Sequence, residues 1–367
     1  MKNFSKNILS TVLTAGLSIG IGLGVVLDTI SDGHAQTPAK KLFGTKQLPA
    51  AIKPASHGFY TKGCLSGAVA MPVDGPTWQV MRLSRNRRWG HPELVKTIQE
   101  LSVKARHDGW NGIMVGDISQ PRGGPMLTGH RSHQIGLDAD LWFMPMPNKR
   151  LSYKERENTS AVSVLKRGSV YVDDKRWTKS HERILYHAAK FPSVERVLVH
   201  PGVKKKLCET VKGDRSWLNK IRPVYGHHYH FHVRMGCQAG SSACKTQAPT
   251  GSDAQCGAKL DWWFKVALAP KKPKPKPKPK PKPTKPKKPR YTTLADLPQN
   301  CVAVLNASSK NENALEYRLP SLAAFSAPAL NIPKVDPLAV YKSRPIEAGI
   351  FLKLPTSNVP VPNFRPN

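Results

Sequence analysis

One histidine-rich stretch of the chain reads Gly129-His130-Arg131-Ser132-His133-Gln134-Ile135-Gly136-Leu137-Asp138-Ala139-Asp140, and a second one farther along reads Gly226-His227-His228-Tyr229-His230-Phe231-His232-Val233. Together the two stretches hold six of the thirteen histidines of the chain. Imidazoles and a carboxylate in this combination are the ligands that a hydrolytic zinc ion takes in proteins. The sequence therefore predicts a metallohydrolase.

Both stretches are predicted to form β-strands whose polar side chains share one face. Residues 137–143 alternate between apolar and polar side chains, which puts Asp138 and Asp140 on the same face of a strand. The second stretch alternates in the same way and puts His230 and His232 on its polar face. Two such strands side by side would direct a carboxylate and imidazoles into one cleft.

The spacing predicts a metal site formed by His133, Asp140 and His232. His133 precedes Asp140 by seven residues and can complete the ligand set from the loop, where Gly136 allows a tight turn. His230 lies on the same face as His232 and would sit beside the metal ion, a suitable place for a general base. A single His-x-His in a strand is more often structural, so the prediction depends on the two stretches together.

The remaining histidines carry weaker signals. Strict alternation extended back along the second stretch would bring His228 to the metal side and turn His227 away, unless the strand begins only at Tyr229. Histidines that stand alone are interpreted as surface or core residues. They are His57, His91, His107, His181, His187 and His200. Trp262-Trp263 reads better as a packed aromatic pair than as a sugar platform.

The chain is predicted to contain one folded domain with processed or extended ends. A basic start, an apolar run at 8–27 and the small residues Gly33-His34-Ala35 predict an export signal. The apolar run is long for a cleaved signal and could remain as a membrane anchor. The predicted segments are the export signal (1–35), an irregular N-terminal arm (36–60), a metallopeptidase domain (61–268), a Pro-Lys linker (269–292), a return segment (293–304) and a Pro-rich, disordered tail (305–367).

Cysteine count and charge indicate an exported protein with an anionic partner. The six cysteines form no Cys-x-x-Cys pair, and an even number in an exported chain predicts disulfides, with 15 possible connectivities. The formal net charge is +33, and residues 271–290 carry eleven basic residues and no acidic one. For an exported protein this charge favours an anionic envelope polymer over nucleic acid. We therefore expect a periplasmic protein without a membrane span once the signal is removed.

Helices and strands mix along the chain without a regular β-α-β alternation, which predicts an α+β fold. A helix is expected to begin at Pro92, and another is expected at 181–191. Buried strands are expected at 112–116 and 194–199. With the two histidine-bearing strands, these elements predict a single domain with a small antiparallel sheet core, flanking helices and disulfide staples.

The first stretch, from Ser132 to Asp140, together with His230-Phe231-His232-Val233-Arg234, resembles the penicillin-insensitive murein endopeptidase family. This family is related to lysostaphin, the D-alanyl-D-alanine metallopeptidases and the Hedgehog fold. The resemblance runs from Gly63 to about Cys301. Further matching motifs are Trp78-Gln79-Val80-Met81-Arg82, Gly90-His91-Pro92, Val115-Gly116-Asp117 and Arg222-Pro223.

The resemblance implies one catalytic zinc ion. Its ligands would be His133, Asp140 and His232. His130 matches a histidine sometimes counted as a further metal ligand in this family. The companion Asp and His of a second zinc site would fall near Gly168 and Tyr171, neither of which can serve, so a second zinc ion is not expected.

The resemblance also implies the catalytic roles. His230 would be the catalytic histidine, and His227 would assist it from nearby. The family thus favours His227 where strict alternation favours His228. We follow the family here, because a turn at Gly226 can reset the alternation.

Three disulfides follow from the resemblance as well: Cys64–Cys301, Cys208–Cys256 and Cys237–Cys244. The first would tie the return segment to the start of the domain, so that the Pro-Lys linker becomes a strap anchored at both ends. The tail beyond Cys301 extends past the family pattern, and the resemblance gives it no role.

The family cleaves peptide cross-links in peptidoglycan, typically the D-alanyl–meso-diaminopimelyl bond, and the resemblance implies the same substrate here. Two alternatives remain, a carboxypeptidase that removes terminal D-alanine and a non-catalytic envelope-binding protein with a structural zinc ion. A basic nucleic-acid binder is disfavoured by the export signal.

Overall fold

The computed structural model of the protein describes residues 37–270, 291–311, 315–326 and 330–333. The predicted export signal, residues 271–290 of the linker and residues 334–367 of the tail lie outside the described residues. No helix within the described ranges is both long and apolar enough to cross a membrane. The predicted α+β class is confirmed, since helices and sheets both build the disulfide-linked fold.

The strands of the described residues form one large sheet and two small pairs. They are β1 (Ala55–Phe59), β2 (Lys62–Ser66), β3 (Val69–Ala70), β4 (Asp74–Gly75), β5 (Trp78–Val80), β6 (Trp89–Gly90), β7 (Ile113–Val115), β8 (Asp138–Pro145), β9 (Val194–Val199), β10 (Ile221–Pro223) and β11 (His230–Met235). The large sheet has the order β10-β9-β11-β8-β7-β5-β4, while β1 pairs with β2 and β3 with β6. Its central pairs, from β9 to β7, are antiparallel.

The α-helices of the described residues are α1 (Ala39–Gly44), α2 (Pro92–His107), α3 (Tyr153–Asn158), α4 (Lys179–Lys190), α5 (Pro201–Thr210), α6 (Ala258–Trp262) and α7 (Asn300–Asn306). Two of them, α2 and α5, are crossover helices, which make the large sheet larger and more mixed than the small antiparallel core that the sequence predicts. The parallel pair β5-β7 is connected through α2, and the parallel pair β9-β10 through α5. Parallel neighbours need such a crossover, so each helix adds a strand outside the antiparallel centre.

Helix α2 begins where the sequence predicts and fixes one side of the core. The side chain of His91 accepts a hydrogen bond from the backbone N–H of Glu93, and Pro92 occupies the first turn, where its missing N–H does no harm. Its apolar stripe is buried against the sheet. The stripe includes Leu94, Val95, Ile98 and Leu101.

Strands β8 and β11 separate the core from the candidate site. Leu141 and Phe143 on β8 and Phe231 and Val233 on β11 are buried in the main apolar core. The alternating residues of the same strands face the opposite side, as the sequence pattern predicts. The sheet thus supplies a rigid backbone for the histidines and acids on that side.

The six cysteines pair as the family resemblance implies: Cys64–Cys301, Cys208–Cys256 and Cys237–Cys244. The first disulfide joins β2 to α7 and therefore brings the return segment back to the start of the domain. A bond across 237 residues removes much of the freedom of the unfolded chain, which stabilises the native state.

The N-terminal arm is more ordered than the irregular segment that the sequence predicts. It contains α1 and β1, and Ala39 and Phe43 of α1 are fully buried. Both side chains pack in a small apolar cluster with Cys64, Cys301 and other residues of α7. Burial of these side chains against the disulfide stabilises the arm, although its sequence shows no clear apolar periodicity.

The described part of the tail packs on the domain, in contrast to the disorder that the sequence predicts. The backbone N–H of Tyr317 donates to the carbonyl of Ala70 (3.1 Å), and the N–H of Ala70 donates to that of Leu315 (2.6 Å). Glu316 forms an ion pair with Arg88 (3.0 Å). The short strand β3 leaves backbone groups at its edge, and the tail pairs with them as an added strand would.

Candidate metal centre

The register of β8 and β11 brings the two histidine-rich stretches together. Asp140 lies directly opposite His232, and Asp138 lies directly opposite Arg234. Each cross-strand pair therefore joins a carboxylate to a side chain that can be positively charged. The pair Asp140–His232 combines one residue from each stretch, as the alternating pattern predicts.

Several imidazole nitrogens converge on one oxygen of Asp140. His232 Nδ1 lies 3.3 Å, His133 Nε2 lies 3.4 Å and His230 Nε2 lies 3.5 Å from Asp140 Oδ1. His130 Nδ1 lies 3.5 Å from the other oxygen, Oδ2. One ligand atom each of His130, His133 and Asp140 falls within 4.8 Å of the others, a spacing that can hold a metal ion.

The buried polar atoms at this point fit a divalent metal ion. Asp140 Oδ1 and His133 Nε2 are buried and make no hydrogen bond with any described residue. Leaving such atoms without a partner costs about 1–3 kcal/mol each. Two ligands at about 2.0–2.1 Å on a tetrahedral ion lie about 3.3–3.4 Å apart. The distances from Asp140 Oδ1 to His133 and His232, 3.4 and 3.3 Å, match that spacing.

Hydrogen bonds to the outer nitrogens of His133 and His232 fix which nitrogen faces the cleft. His133 Nδ1–H donates to the carbonyl of Ile118 (2.5 Å), which leaves Nε2 as a lone-pair donor. His232 Nε2–H donates to Asp138 Oδ1 (2.7 Å), which leaves Nδ1 toward Asp140. Outer contacts of this kind set ring orientation and ligand strength in metal sites. Both histidines are thus prepared for binding a metal ion.

The backbone around His133 is strained to present this side chain. His133 has φ +70°, in the left-handed region that only a few non-glycine residues adopt. Its N–H donates to Asp138 Oδ2 (2.9 Å), which holds the loop in place. Gly136 has φ +68°, and a Cβ there would come within 2.3 Å of the Leu65 side chain. Only glycine therefore allows the loop to turn at this point.

Charges within the centre keep the acids ionised. Burial alone would raise the pKa of Asp140, but interactions with His230, His133 and His130 outweigh burial and hold the pKa well below its usual range. Burial also opposes charge on His232, yet Asp138 and Asp140 raise its pKa above the ordinary value. The carboxylates thus favour a positive charge at this point, and a metal ion also supplies one.

His230 lacks, within the described residues, the outer hydrogen bond that fixes the rings of His133 and His232. Its Nδ1 is buried and has no hydrogen-bond partner in the described part of the chain. Burial lowers the pKa of His230 to about 4, so the ring is neutral at neutral pH. The His227 ring lies 4.9 Å from the His230 ring, and burial followed by repulsion from His230 lowers its pKa to about 3. Neutral imidazoles beside the inner ligands can accept protons.

The turn before β11 separates His227 from His228. Gly226 has φ +85°, which resets the alternation before the strand begins at His230. His228 Nδ1 lies 2.9 Å from Ser163 Oγ, and its ring packs edge-to-face against Tyr229. The His227 ring lies 4.9 Å from the His230 ring and 6.0 Å from the His232 ring, so His227 is next to the candidate site.

His130 and Asp117 form a second layer next to Asp140. His130 Nε2–H donates to Asp117 Oδ2 (2.9 Å), while its other nitrogen faces Asp140. The same Asp117 oxygen accepts from Arg85 (3.1 Å) and Arg87 (2.9 Å). Burial would raise the pKa of Asp117, but the two arginines and His130 hold it well below its usual range. This anionic group orients His130 as Asp138 orients His232.

Several isolated histidines have structural contacts away from the centre. His91 and His200 accept backbone hydrogen bonds at the starts of α2 and α5, and His181 donates to the carbonyl of Phe143 (2.8 Å). Tyr171, near the expected position of a second metal ligand, is exposed and stacks on Phe264. Trp262 and Trp263 form an edge-to-face pair with centroids 5.4 Å apart.

Sequence reasoning did not assign a role to Asp138 or Asp117. The signal for Asp138 was present, because it shares the polar face of β8 with Asp140 and lies opposite Arg234. Asp117 follows the buried strand β7, and its partner His130 belongs to the first histidine-rich stretch. Only the tertiary structure shows that both acids hold histidines of the centre.

The chain is similar to known proteins over most of its length. A family model described as penicillin-insensitive murein endopeptidase matches residues 56–306. A penicillin-insensitive murein endopeptidase from Haemophilus influenzae is 39% identical over 255 residues, which cover 70% of this chain and 84% of the relative. One from Salmonella newport is 36% identical over 272 residues, which cover 74% of this chain and 92% of the relative. Because the family model matches more than half of this chain, the chain belongs to the penicillin-insensitive murein endopeptidase family.

Proposed function

We propose that the protein is a zinc-dependent endopeptidase that hydrolyses peptide cross-links in peptidoglycan, at the D-alanyl–meso-diaminopimelyl bond. The observation that carries the proposal is the pair of buried, unpartnered atoms His133 Nε2 and Asp140 Oδ1, which lie 3.4 Å apart. Two nitrogen ligands and one oxygen ligand with an open position are typical of catalytic zinc sites. The relatives' names, which describe murein endopeptidases, support peptidoglycan as the substrate, and the scissile bond is the one that the family resemblance implies.

The inner residues would hold the ion through His133 Nε2, His232 Nδ1 and Asp140 Oδ1, with His130 as a possible further ligand. A bound zinc ion supplies a Lewis acid that polarises the scissile carbonyl and lowers the pKa of water. The three inner side chains are at most 8% exposed, so the electrostatic interactions there are weakly screened.

His230 would carry the protons during cleavage. Because its pKa is lowered to about 4, the ring is neutral and can accept a proton from the attacking water. The same ring can then donate that proton to the amine of the diaminopimelyl residue as the amide bond breaks. His227 lies 4.9 Å from it, centroid to centroid, and would stabilise negative charge on the substrate or relay the proton.

The product pattern of a digestion tests this proposal. Cross-linked peptidoglycan would be digested with wild type, with His232→Ala and with wild type plus a chelator, and the muropeptides resolved by mass. We expect dimers to become monomers with wild type alone, and added zinc to restore the chelated enzyme. His187→Ala is the matched control, because His187 also binds a carboxylate, that of Asp108 (2.5 Å), outside the centre.

Other outcomes of this digestion identify the two alternative functions. Loss of terminal D-alanine with intact dimers would make the protein a carboxypeptidase. Unchanged muropeptides together with tight binding to the sacculus would make it an envelope-binding protein whose metal is structural. Either result would contradict an endopeptidase.

We further propose that the exported, periplasmic protein uses its basic Pro-Lys linker to bind anionic envelope polymers. The support is charge alone, eleven basic residues at 271–290 and a formal net charge of +33. Deleting residues 270–289 should weaken binding to sacculi and reduce its dependence on salt. Undiminished binding by the deletion variant would contradict this role.

A further inference from the structure

Beyond the inner residues, a strained turn presents an arginine at the rim of the centre. The short 3-10 helix Leu83–Arg85 is flanked by Arg82 and Asn86, both in the left-handed region, with φ 57° and φ 49°. Glu157 holds the turn, because its carboxylate accepts from the backbone N–H (2.9 Å) and the hydroxyl (2.6 Å) of Ser84. Two strained residues cost of order 1–3 kcal/mol each, and such strain concentrates at ligand-binding sites.

The guanidinium of Arg85 is only partly used by the protein. One nitrogen, NH1, donates to Asp117 Oδ2 (3.1 Å), and no other hydrogen bond of this side chain occurs within the described ranges. Arg87 also donates to this oxygen through NH1, but its second nitrogen, NH2, donates to the carbonyl of Thr128. The Arg85 side chain is 41% exposed, whereas that of Arg87 is 8% exposed. Arg85 therefore keeps free donors that face solvent.

A short chain of contacts links the Arg85 side chain to Asp140. Arg85 and His130 share one oxygen of Asp117, at 3.1 and 2.9 Å. The other nitrogen of His130 lies 3.5 Å from Asp140 Oδ2. Only two side chains thus separate the exposed guanidinium from Asp140, and a substrate whose reacting bond lies at Asp140 would pass within reach of it.

The substrate of the proposed function offers a group that suits such a guanidinium. In a D-alanyl–meso-diaminopimelyl cross-link, the carbon that carries the leaving amine also carries a free carboxylate. We infer that Arg85 binds this carboxylate and so positions the cross-link for cleavage, an assignment that rests on the proposed function. A planar guanidinium can donate two parallel hydrogen bonds to a carboxylate, which fixes both distance and orientation.

The assignment predicts that Arg85 distinguishes a carboxylate from a carboxamide. Two soluble cross-linked muropeptide dimers would be compared, identical except that the carboxylate beside the scissile bond is a carboxamide in one. With Arg85→Gln, kcat/KM for the carboxylate dimer should fall about 10- to 100-fold, mostly through KM. For the carboxamide dimer the change should stay within about threefold.

Arg183→Gln is the matched control, since Arg183 is 40% exposed and pairs with the carboxylate of Asp108 (3.3 Å) away from the centre. Its kinetics should equal those of wild type on both dimers. Arg85→Lys keeps the charge but loses the planar fork, and should show an intermediate loss on the carboxylate dimer alone. Bound metal and the thermal midpoint of each variant show whether the fold is intact, and Arg85→Lys serves if Arg85→Gln does not fold.

Equal losses of Arg85→Gln on both dimers would overturn the assignment, because Arg85 would then act only by holding Asp117. Wild type that cleaves neither dimer would instead overturn the proposed function, and the role of Arg85 with it. Cleavage of both dimers by wild type with a selective loss in Arg85→Gln supports both.

Discussion

The inner and outer halves of the metal centre differ in how firmly the protein holds their polar atoms. The inner half is His133, Asp140 and His232, and the outer half is His227, His230 and Arg85. In the inner half, the carbonyl of Ile118 and the carboxylate of Asp138 fix both histidine rings. In the outer half, His230 Nδ1 has no partner in the described residues and Arg85 is 41% exposed. The protein therefore holds the rings of the inner half in place, whereas the outer half keeps unused hydrogen-bonding capacity, which the proposed function assigns to substrate.

The largest effect should come from breaking the inner half. Asp140→Asn removes the charge that several imidazoles surround, so we expect bound zinc to fall from about one ion per chain to a small fraction of that. Cleavage of cross-linked peptidoglycan should fall to background with it. Metal analysis after gel filtration, together with muropeptide digestion, measures both. A variant that keeps zinc and activity would show that Asp140 is not a ligand.

An outer-half substitution should separate metal binding from turnover. His230→Ala should keep its zinc, because the inner ligands are untouched, and should lose about 10²- to 10⁴-fold in kcat, as expected for a missing proton carrier. The same metal analysis and initial rates on a soluble muropeptide dimer test this. Loss of zinc in this variant would show that His230 is itself a metal ligand and belongs to the inner half.

Removing the support of an inner ligand should have a smaller effect than removing the ligand. Asp138→Asn weakens the hydrogen bond to His232 and the pairing with Arg234 (2.6 Å), so zinc affinity or activity should fall about 10- to 100-fold. Zinc affinity is measured by competition with a chelating dye. Asp108→Asn is the matched control, since Asp108 also pairs with a histidine and an arginine, His187 and Arg183. Equal zinc affinity in Asp138→Asn and wild type would refute a supporting role.

The smallest effect concerns a buried histidine outside the centre. Burial lowers the pKa of His181 to about 4, against an ordinary value of 6.5, so the unfolded chain takes up a proton first as the pH falls. Its contribution to the free energy of unfolding is fully present above about pH 6.5 and is lost toward pH 4, roughly 1.5–2 kcal/mol between pH 7 and 5. Urea unfolding at both values should show a smaller loss in His181→Gln than in wild type. His107→Gln, at the exposed end of α2, should behave as wild type. If His181→Gln loses as much unfolding free energy between the two pH values as wild type does, His181 is not the source of this pH dependence.

The sequence predicts the inner half better than the outer half, and the reason is periodicity. Strand alternation puts Asp140 and His232 on polar faces, and the observed register pairs them directly. Alternation does not distinguish a candidate ligand from a residue that supports it, so it assigns no role to Asp138. Arg85 lies in an irregular turn after β5 and is brought to Asp117 only by the tertiary fold, which no local pattern encodes.

The fold shows the same limit. The strand 194–199 and the helix at Pro92 have clear apolar patterns and were predicted. Helix α5 contains three consecutive lysines and lacks such a pattern, so the sequence predicts neither this helix nor the parallel pair β9-β10 that it connects. The packing of residues 315–326 depends on the free edge of β3, a feature that the tail sequence itself does not carry.

The disulfide Cys64–Cys301 also determines what a protease can do to the molecule. It closes a covalent ring that contains the residues of the candidate metal centre and the Lys-rich linker. Most lysines of the linker precede proline and so resist trypsin-like enzymes, which leaves the bonds after Lys271, Lys287 and Arg290 as the sites of cleavage there. A single cut within the ring opens it but releases no fragment, because both new ends remain joined through the two sulfurs. A nicked molecule would migrate as one chain on a denaturing gel until a reductant is added, and its metal centre would stay attached to the return segment that closes the ring.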